Sequence, residues 1–262
     1  MSETILYGLD LGVARITLNR PEKLNSFNRP MAKRLREALD DAAQRVEVRS
    51  VLITGSGRAF CAGQDLSEAV SDEGDDPTDL GQIVEDSYNP VIRAIVGLEK
   101  PVVCAVNGVA AGAGANLALA CDLVLASKKA KFIQSFCNIG LIPDSGGTYH
   151  LPRLVGMARA KAMMLLGEPV EAEQAEQWGL ISATAEHHEL EDKALEVARH
   201  LAKQPTRGLG LIKRALNRTL DHTLDEQLEL EKQLQSKAGF TKDYQEGVRA
   251  FMEKRKPVFK GE

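Results

Sequence analysis

Three short apolar runs, "SVLITG" (Ser50–Gly55), "PVVCAVNG" (Pro101–Gly108) and "DLVLAS" (Asp122–Ser127), limit what this chain can fold into. They are built from β-branched and small apolar residues, and the first two end at glycine. Runs of this length, apolar throughout, suit strands buried on both faces. "VARITLN" (Val13–Asn19) differs: it alternates apolar and polar residues, as a half-buried strand does. A helix is expected from Asn28, a capping residue followed by an early proline. Its buried face would carry Met31, Leu35, Ala38, Leu39, Ala42 and Val46. Past residue 185 the strand patterns stop. "ELEDKALEVARHLAK", "TRGLGLIKRALNRTL", "TLDEQLELEKQLQS" and "KDYQEGVRAFMEKR" all have helical periodicity, and Thr223 and Glu226 open the third at capping-box spacing. Strand–helix alternation followed by helices alone predicts an α/β core with a helical C-terminal extension.

The chain has 262 residues and a net charge of −4, which argues against a general nucleic-acid footprint. An anionic ligand would need local recognition by backbone N–H groups or a few placed Lys and Arg. Cys61, Cys104, Cys121 and Cys137 are scattered, without CxxC or Cys/His ligand spacing, and read as small core residues in a reducing compartment. Residues 1–20 lack a basic start followed by an apolar block, and no apolar run approaches the ~20 residues of a membrane span. Cytoplasm is the expected location, with neither membrane nor metal as a partner. Ser67–Gln82 is acidic and aperiodic, and reads as a solvated loop or as a flap beside a site.

Two stretches end strands and turn toward something helical: "RAFCAGQDL" (Arg58–Leu66) and "NGVAAGAGANLALACD" (Asn107–Asp122). Small residues leave their backbone N–H groups uncovered, as an anion or oxyanion site requires, although tight strand–helix packing also uses small residues. The second stretch fits neither a dinucleotide fingerprint nor a P-loop. "NIGLIPDSGGT" (Asn138–Thr148) places one carboxylate, Asp144, between an apolar run and two glycines. It reads locally as a turn, or as a base whose charge is costly to bury.

Together, "ITLNRPEKLNSFN", "VLITGSGRAFCAGQDL", "KPVVCAVNGVAAGAGANLALACDLVLAS" and "AKFIQSFCNIGLIPDSGGT", in this order and spacing, resemble the enoyl-CoA hydratase/isomerase (crotonase) superfamily. "EPVEAEQAEQWGLIS" and "FMEKRKPVF" extend the match over nearly the whole chain. Within the family, "GLIPDSGGT", "NGVAAGAGANLAL" and "PTRGLGLIKRALN" look most like isomerases of phenylacetate catabolism. Those convert ring-1,2-epoxyphenylacetyl-CoA to oxepin-CoA and also shift enoyl-CoA double bonds. The resemblance implies an α/β fold, a spiral of repeated β-β-α units over residues 1–200. It also implies a helical oligomerisation region over residues 201–262 and homotrimers that often pair into hexamers.

The resemblance further implies an acyl-CoA thioester whose carbonyl oxygen is held by the N–H groups of Gln64 and Ala113. Ala62, Gly63, Asp65, Leu66 and Gly112 would line the bound substrate, and Lys23 and the basic end Glu253–Lys260 would lie near the nucleotide. Coenzyme A then belongs to the substrate, and no separate cofactor is expected. Family hydratases carry two glutamates, at the positions of Asn116 and Phe136. With neither present, the usual pair for activating water and delivering the α-proton is missing. Asn116 and Phe136 are expected to flank substrate instead, Phe136 as an apolar wall or as plain core. Asp144 stands where family isomerases place a carboxylate and where an aryl-CoA dehalogenase places its nucleophile. A lone carboxylate in an apolar pocket has a raised pKa, and one such base suffices for a 1,3-proton shift. The expectation is an acyl-CoA isomerase with Asp144 as base. A hydratase and a non-catalytic or RNA-associated member of the fold are the alternatives. His150, Trp178 and His187–His188 read as structural or surface residues.

Overall fold

The computed structural model describes residues 3–68 and 79–262. The chain opens with a hairpin, β1 (Ile5–Asp10) and β2 (Val13–Leu18), paired antiparallel through a two-residue turn. Leu11 and Gly12 both have positive φ there, as the twist-matched hairpin turn needs. β3 (Ser50–Gly55), β5 (Val102–Val106), β7 (Leu123–Ser127) and β10 (Ala183–Ala185) continue from β2 in parallel, giving a six-stranded sheet ordered β1-β2-β3-β5-β7-β10. The four strand runs read from the sequence are β2, β3, β5 and β7.

A second, smaller sheet pairs β4 (Ala59–Cys61), β6 (Val109–Ala111), β8 (Lys131–Ile133) and β9 (Val170–Glu171). The chain therefore repeats a unit: a long strand in the first sheet, a short one in the second, then a helix. Helices α1 (Arg29–Gln44), α2 (Leu80–Ile83) and α3 (Asn89–Gly97) belong to the first part, with one π-helical turn, Val84–Tyr88, joining α2 to α3. α4 (Ala113–Leu119) and α5 (Gly147–Leu166) follow β6 and β8, and α6 (Ala172–Gln177) follows β9.

The parallel strands are buried on both faces. Ala14, Ile16, Val51, Ile53, Cys104, Val106 and Val124 point toward α1, α3 and the small sheet. Val13, Leu52, Val103, Ala105 and Leu125 point the other way, under Leu190, Ala194 and Ala198 of α7 (Leu190–Ala202). The two-residue alternation of a strand thus feeds two cores, which is why these runs show no polar alternation.

Asn28 caps α1 as expected, accepting from the Met31 N–H at 3.0 Å. The helix stops at Gln44, so Val46, expected on its buried face, falls in the following turn and is 86% exposed. The periodicity continues in the sequence for two residues after the backbone has left the helix. A domain boundary at residue 200 lies inside α7, which is packed on the sheet.

The last helices are α8 (Thr206–Leu216), α9 (Leu224–Gly239), with the complete Thr223/Glu226 capping box, and α10 (Lys242–Met252). α8 is tied to the core by Lys213, a largely buried ammonium. It donates to the Ile95 carbonyl at 2.7 Å and to Asp122 at 2.8 Å.

Candidate active site

Two backbone loops come first. After β2, Leu24 and Asn25 adopt left-handed φ, and the fully buried Asn25 amide donates to the carbonyls of Ser56 (2.8 Å) and Ala59 (2.9 Å). This clamps "RPEKLNSF" against the turn between β3 and β4, and backbone bonds then tie it to the loop after β4. Ala62 N–H donates to Leu24, Phe27 N–H to Gly63, and Asp65 N–H to Phe27. Asp65 is not free to meet a ligand. Its carboxylate pairs with Arg20 at 2.8 Å and accepts from Ser67, contacts that hold it below the usual carboxylate range. Leu66 is half exposed, and Lys23 lies exposed at the end of a short turn, Pro21–Lys23.

This scaffold leaves one donor over. Among the described residues, the Gln64 N–H has no acceptor, and its side-chain Nε2 is buried without a partner. The Ala113 N–H is also free, being the first of α4, where no preceding turn can accept it. Close approaches bring the two together. A Cβ on Gly63 would stand 3.0 Å from the Ala111 carbonyl, and one on Gly114 would stand 2.3 Å from the Cys61 carbonyl. Only glycine lets the α4 N-terminus sit directly on the end of β4. Two neighbouring free N–H groups at a helix start form a site for negative charge.

The third part is Asp144. After β8 a short 3-10 turn, Ser135–Ile139, carries the buried Phe136, whose ring edge lies 3.5 Å from where a side chain on Gly112 would begin. Phe136 thus covers the Ala113 end of the two-donor site with an apolar surface. The chain then runs through exposed Leu141 and Ile142 to Asp144, just before α5. Asp144 Oδ1 is buried and has no hydrogen-bond partner among the described residues. Burial pushes the Asp144 carboxyl above the usual carboxylate range, opposed only in part by the Ser145 hydroxyl and its own backbone. No cation among the described residues pairs with it. Burial, with the charge of Asp144 adding to it, pushes the hydroxyl of Tyr88, at the end of the π-helical turn, upward as well. Ser145 holds φ of +49°, a conformation costing a non-glycine residue roughly 1–3 kcal/mol.

Asn116, expected beside substrate, is fully buried in α4 and both ends of its amide are engaged by protein. Nδ2 donates to the Asp144 carbonyl at 2.9 Å, and Oδ1 accepts from Gln134 Nε2 at 2.7 Å. Gln134 was missed by the sequence reading. The available signal was an amide between the apolar residues Ile133 and Phe136 of "KFIQSF". Of the expected flap, residues 69–78 lie outside the described residues. His150 sits in the first turn of α5, half-buried, with burial depressing its pKa. Trp178 packs at the C-cap of α6 against the main core, with the Arg159 guanidinium over its ring, and His187 and His188 are exposed.

The sequence model for "Enoyl-CoA hydratase/isomerase" matches residues 9–262. A 1,2-epoxyphenylacetyl-CoA isomerase of Escherichia coli K12 is 52% identical, with all of both chains covered. A trans-2-decenoyl-[acyl-carrier-protein] isomerase of Streptococcus mutans is 39% identical over 98% of each chain. The crystal structure of an enoyl-CoA hydratase from Bacillus anthracis superposes with a TM-score of 0.92, at 34% identity, over 99% of this chain and all of that one. Sheet topology and full-length similarity agree: the chain belongs to the enoyl-CoA hydratase/isomerase family and has its crotonase fold.

Proposed function

We propose that this chain is an acyl-CoA isomerase in which one carboxylate, Asp144, relocates a proton beside a thioester held as an enolate. The thioester oxygen accepts from the Gln64 and Ala113 N–H groups. Asp144 removes a proton from C2 of a 3-enoyl-CoA, the electron pair delocalises onto that oxygen, and the same carboxyl returns the proton to C4. The product is the conjugated 2-enoyl thioester. With a ring-1,2-epoxyphenylacetyl thioester, as in the 52% identical isomerase, the same donors stabilise charge on the carbonyl oxygen while the epoxide ring opens toward the oxepin.

The observation that carries this reading is the buried Oδ1 of Asp144, unpaired with any cation among the described residues, and the upward push that burial gives its pKa. A base works best when its pKa lies near the operating pH, and burial moves Asp144 in that direction. Asn116 and Phe136 offer no carboxylate for activating water, and the Phe136 ring adds an apolar wall. Coenzyme A enters as part of the substrate, and the chemistry calls for no other cofactor. Lys23 and the exposed lysines of the C-terminal basic end are assigned to the nucleotide phosphates. Arg255 is not, because Glu246 and Glu253 already hold it. Four free cysteines fit a reducing, cytoplasmic setting.

Asp144→Asn should lower kcat for 3-enoyl-CoA isomerisation about 10³-fold while leaving acyl-CoA binding intact. Near wild-type turnover by that variant would remove Asp144 from the mechanism. Rapid loss of the conjugated thioester absorbance when the wild type meets crotonyl-CoA would favour a hydratase instead.

A further inference from the structure

We infer that Asn116 and Gln134 are positioning residues: a buried amide relay that aims Asp144. This rests on the reading of Asp144 as the base. Three elements distant in sequence meet at one amide. Asn116 lies on α4, which begins with the oxyanion donor Ala113. Gln134 directly follows β8 and precedes the turn carrying Phe136. Asp144 lies in the loop before α5, three residues ahead of its first residue, Gly147. Gln134 Nε2–H donates to Asn116 Oδ1 (2.7 Å), and Asn116 Nδ2–H donates to the Asp144 carbonyl (2.9 Å).

The Asp144 carbonyl also accepts the Gly147 N–H at 2.8 Å, so both of its lone pairs are used. That fixes the peptide plane immediately after Asp144, in front of a serine in the left-handed region. The aspartate side chain can then turn only about its own two torsions. Gly147 completes the fit, because a Cβ there would stand 2.3 Å from Asn116 Nδ2. Asn116 and Gln134 are both fully buried, and neither is within reach of bulk water that could replace these bonds.

An amide is the group this place requires. A carboxylate at position 116 cannot donate to the Asp144 carbonyl, and it would set a second buried negative charge beside the base. The donor to the Asp144 loop and the absence of a competing charge come from the same side chain. Asn116 therefore acts on the isomerase reaction through Asp144, with no contact to substrate. Tyr88 is the titratable group that faces Asp144 from the neighbouring π-helical turn, and it stays neutral across the range in which Asp144 titrates.

Asn116→Asp keeps the size and retains the bond from Gln134, so it isolates the lost donor and the added charge. The expected result is a fall in kcat of about 10²-fold, the scale of a 1 Å misplacement of a reacting group. The dissociation constant for a non-reacting saturated acyl-CoA should not change, and the midpoint of the kcat–pH profile should move upward. Gln134→Met, which removes the outer donor at similar volume, should give a smaller loss in the same direction. Unchanged kcat and pH profile in both folded variants, even with a lower Tm, would reduce the relay to a structural tie and overturn the inference. If Asn116→Asp does not fold, Gln134→Met decides alone by the same readouts. Asp144→Asn measured in parallel separates the two failures. Activity retained there ends the reading of Asp144 as base, whereas an inactive Asp144→Asn beside wild-type behaviour at 116 and 134 ends only the relay.

Discussion

At the scale of single residues, the site concentrates its cost at Asp144. A carboxyl whose folded pKa is raised binds its proton more tightly in the native state than in the unfolded chain. As pH rises past the ordinary carboxylate range, the unfolded chain gives up that proton first and native stability falls. The decline ends once pH exceeds the raised native value and Asp144 itself ionises. The stabilisation is complete below the ordinary carboxylate range and gone once pH exceeds the raised native value, where the base is active. Asparagine has no proton to lose. The Tm of Asp144→Asn relative to wild type should therefore rise as pH climbs from the ordinary carboxylate range through the raised native value of Asp144, while wild-type kcat/KM climbs as Asp144 ionises. A Tm difference that stays flat across this interval would mean that Asp144 titrates as an exposed carboxylate. The presence of Asp144 was legible in the sequence because an acid among apolar residues and glycines is conspicuous. What Asn116 does was not. Its partners, Gln134 and Asp144, are 18 and 28 residues away, and nothing local in "GANLAL" shows that an amide must point at both.

At the scale of elements, the long strands were readable and the short ones were not. β2, β3, β5 and β7 have five or six residues each, enough for composition and bounding glycines to mark them. β4, β6 and β8 have three residues each; the first two lie inside the small-residue stretches Arg58–Leu66 and Asn107–Asp122, and β8 lies in "AKFIQSF". Three residues cannot display a period of two. Yet these short strands place the site, since β4 ends at the Gln64 loop and β6 at the Ala113 helix. Their contact depends on Gly114, where an added Cβ would stand 2.3 Å from the Cys61 carbonyl and 2.6 Å from its Cβ. Gly114→Ala must push α4 away from β4 and separate the two N–H donors. The expected cost is about 10²-fold in kcat, the lower end for loss of one oxyanion donor, with retained fold by circular dichroism. An alanine variant with wild-type kcat would show that the donors do not depend on this contact.

At the scale of the whole molecule, the unresolved balance lies in the C-terminal helices. The core they rest on is closed, and Lys213 anchors α8 to it through Asp122 and the Ile95 carbonyl. Outward, however, Leu216, Leu220, Leu224, Phe240, Phe251 and Met252 are all at least 64% exposed. Scattered exposed apolar residues are ordinary, but this many large ones along the C-terminal helices form the kind of apolar surface that characterises interaction sites. Helical periodicity alone does not say which apolar face meets the core, because a helix stripe looks the same against its own chain or a second copy. The homotrimer or hexamer expected from the family resemblance would bury such a patch on every protomer, as a closed cyclic arrangement does. Sedimentation equilibrium should then return three or six times the 28.5 kDa chain mass. Replacing Phe240 and Phe251 together by Asp should shift the mass toward one chain while helix content stays constant. A wild-type chain that sediments as a monomer at micromolar concentration would leave these helices to a different partner.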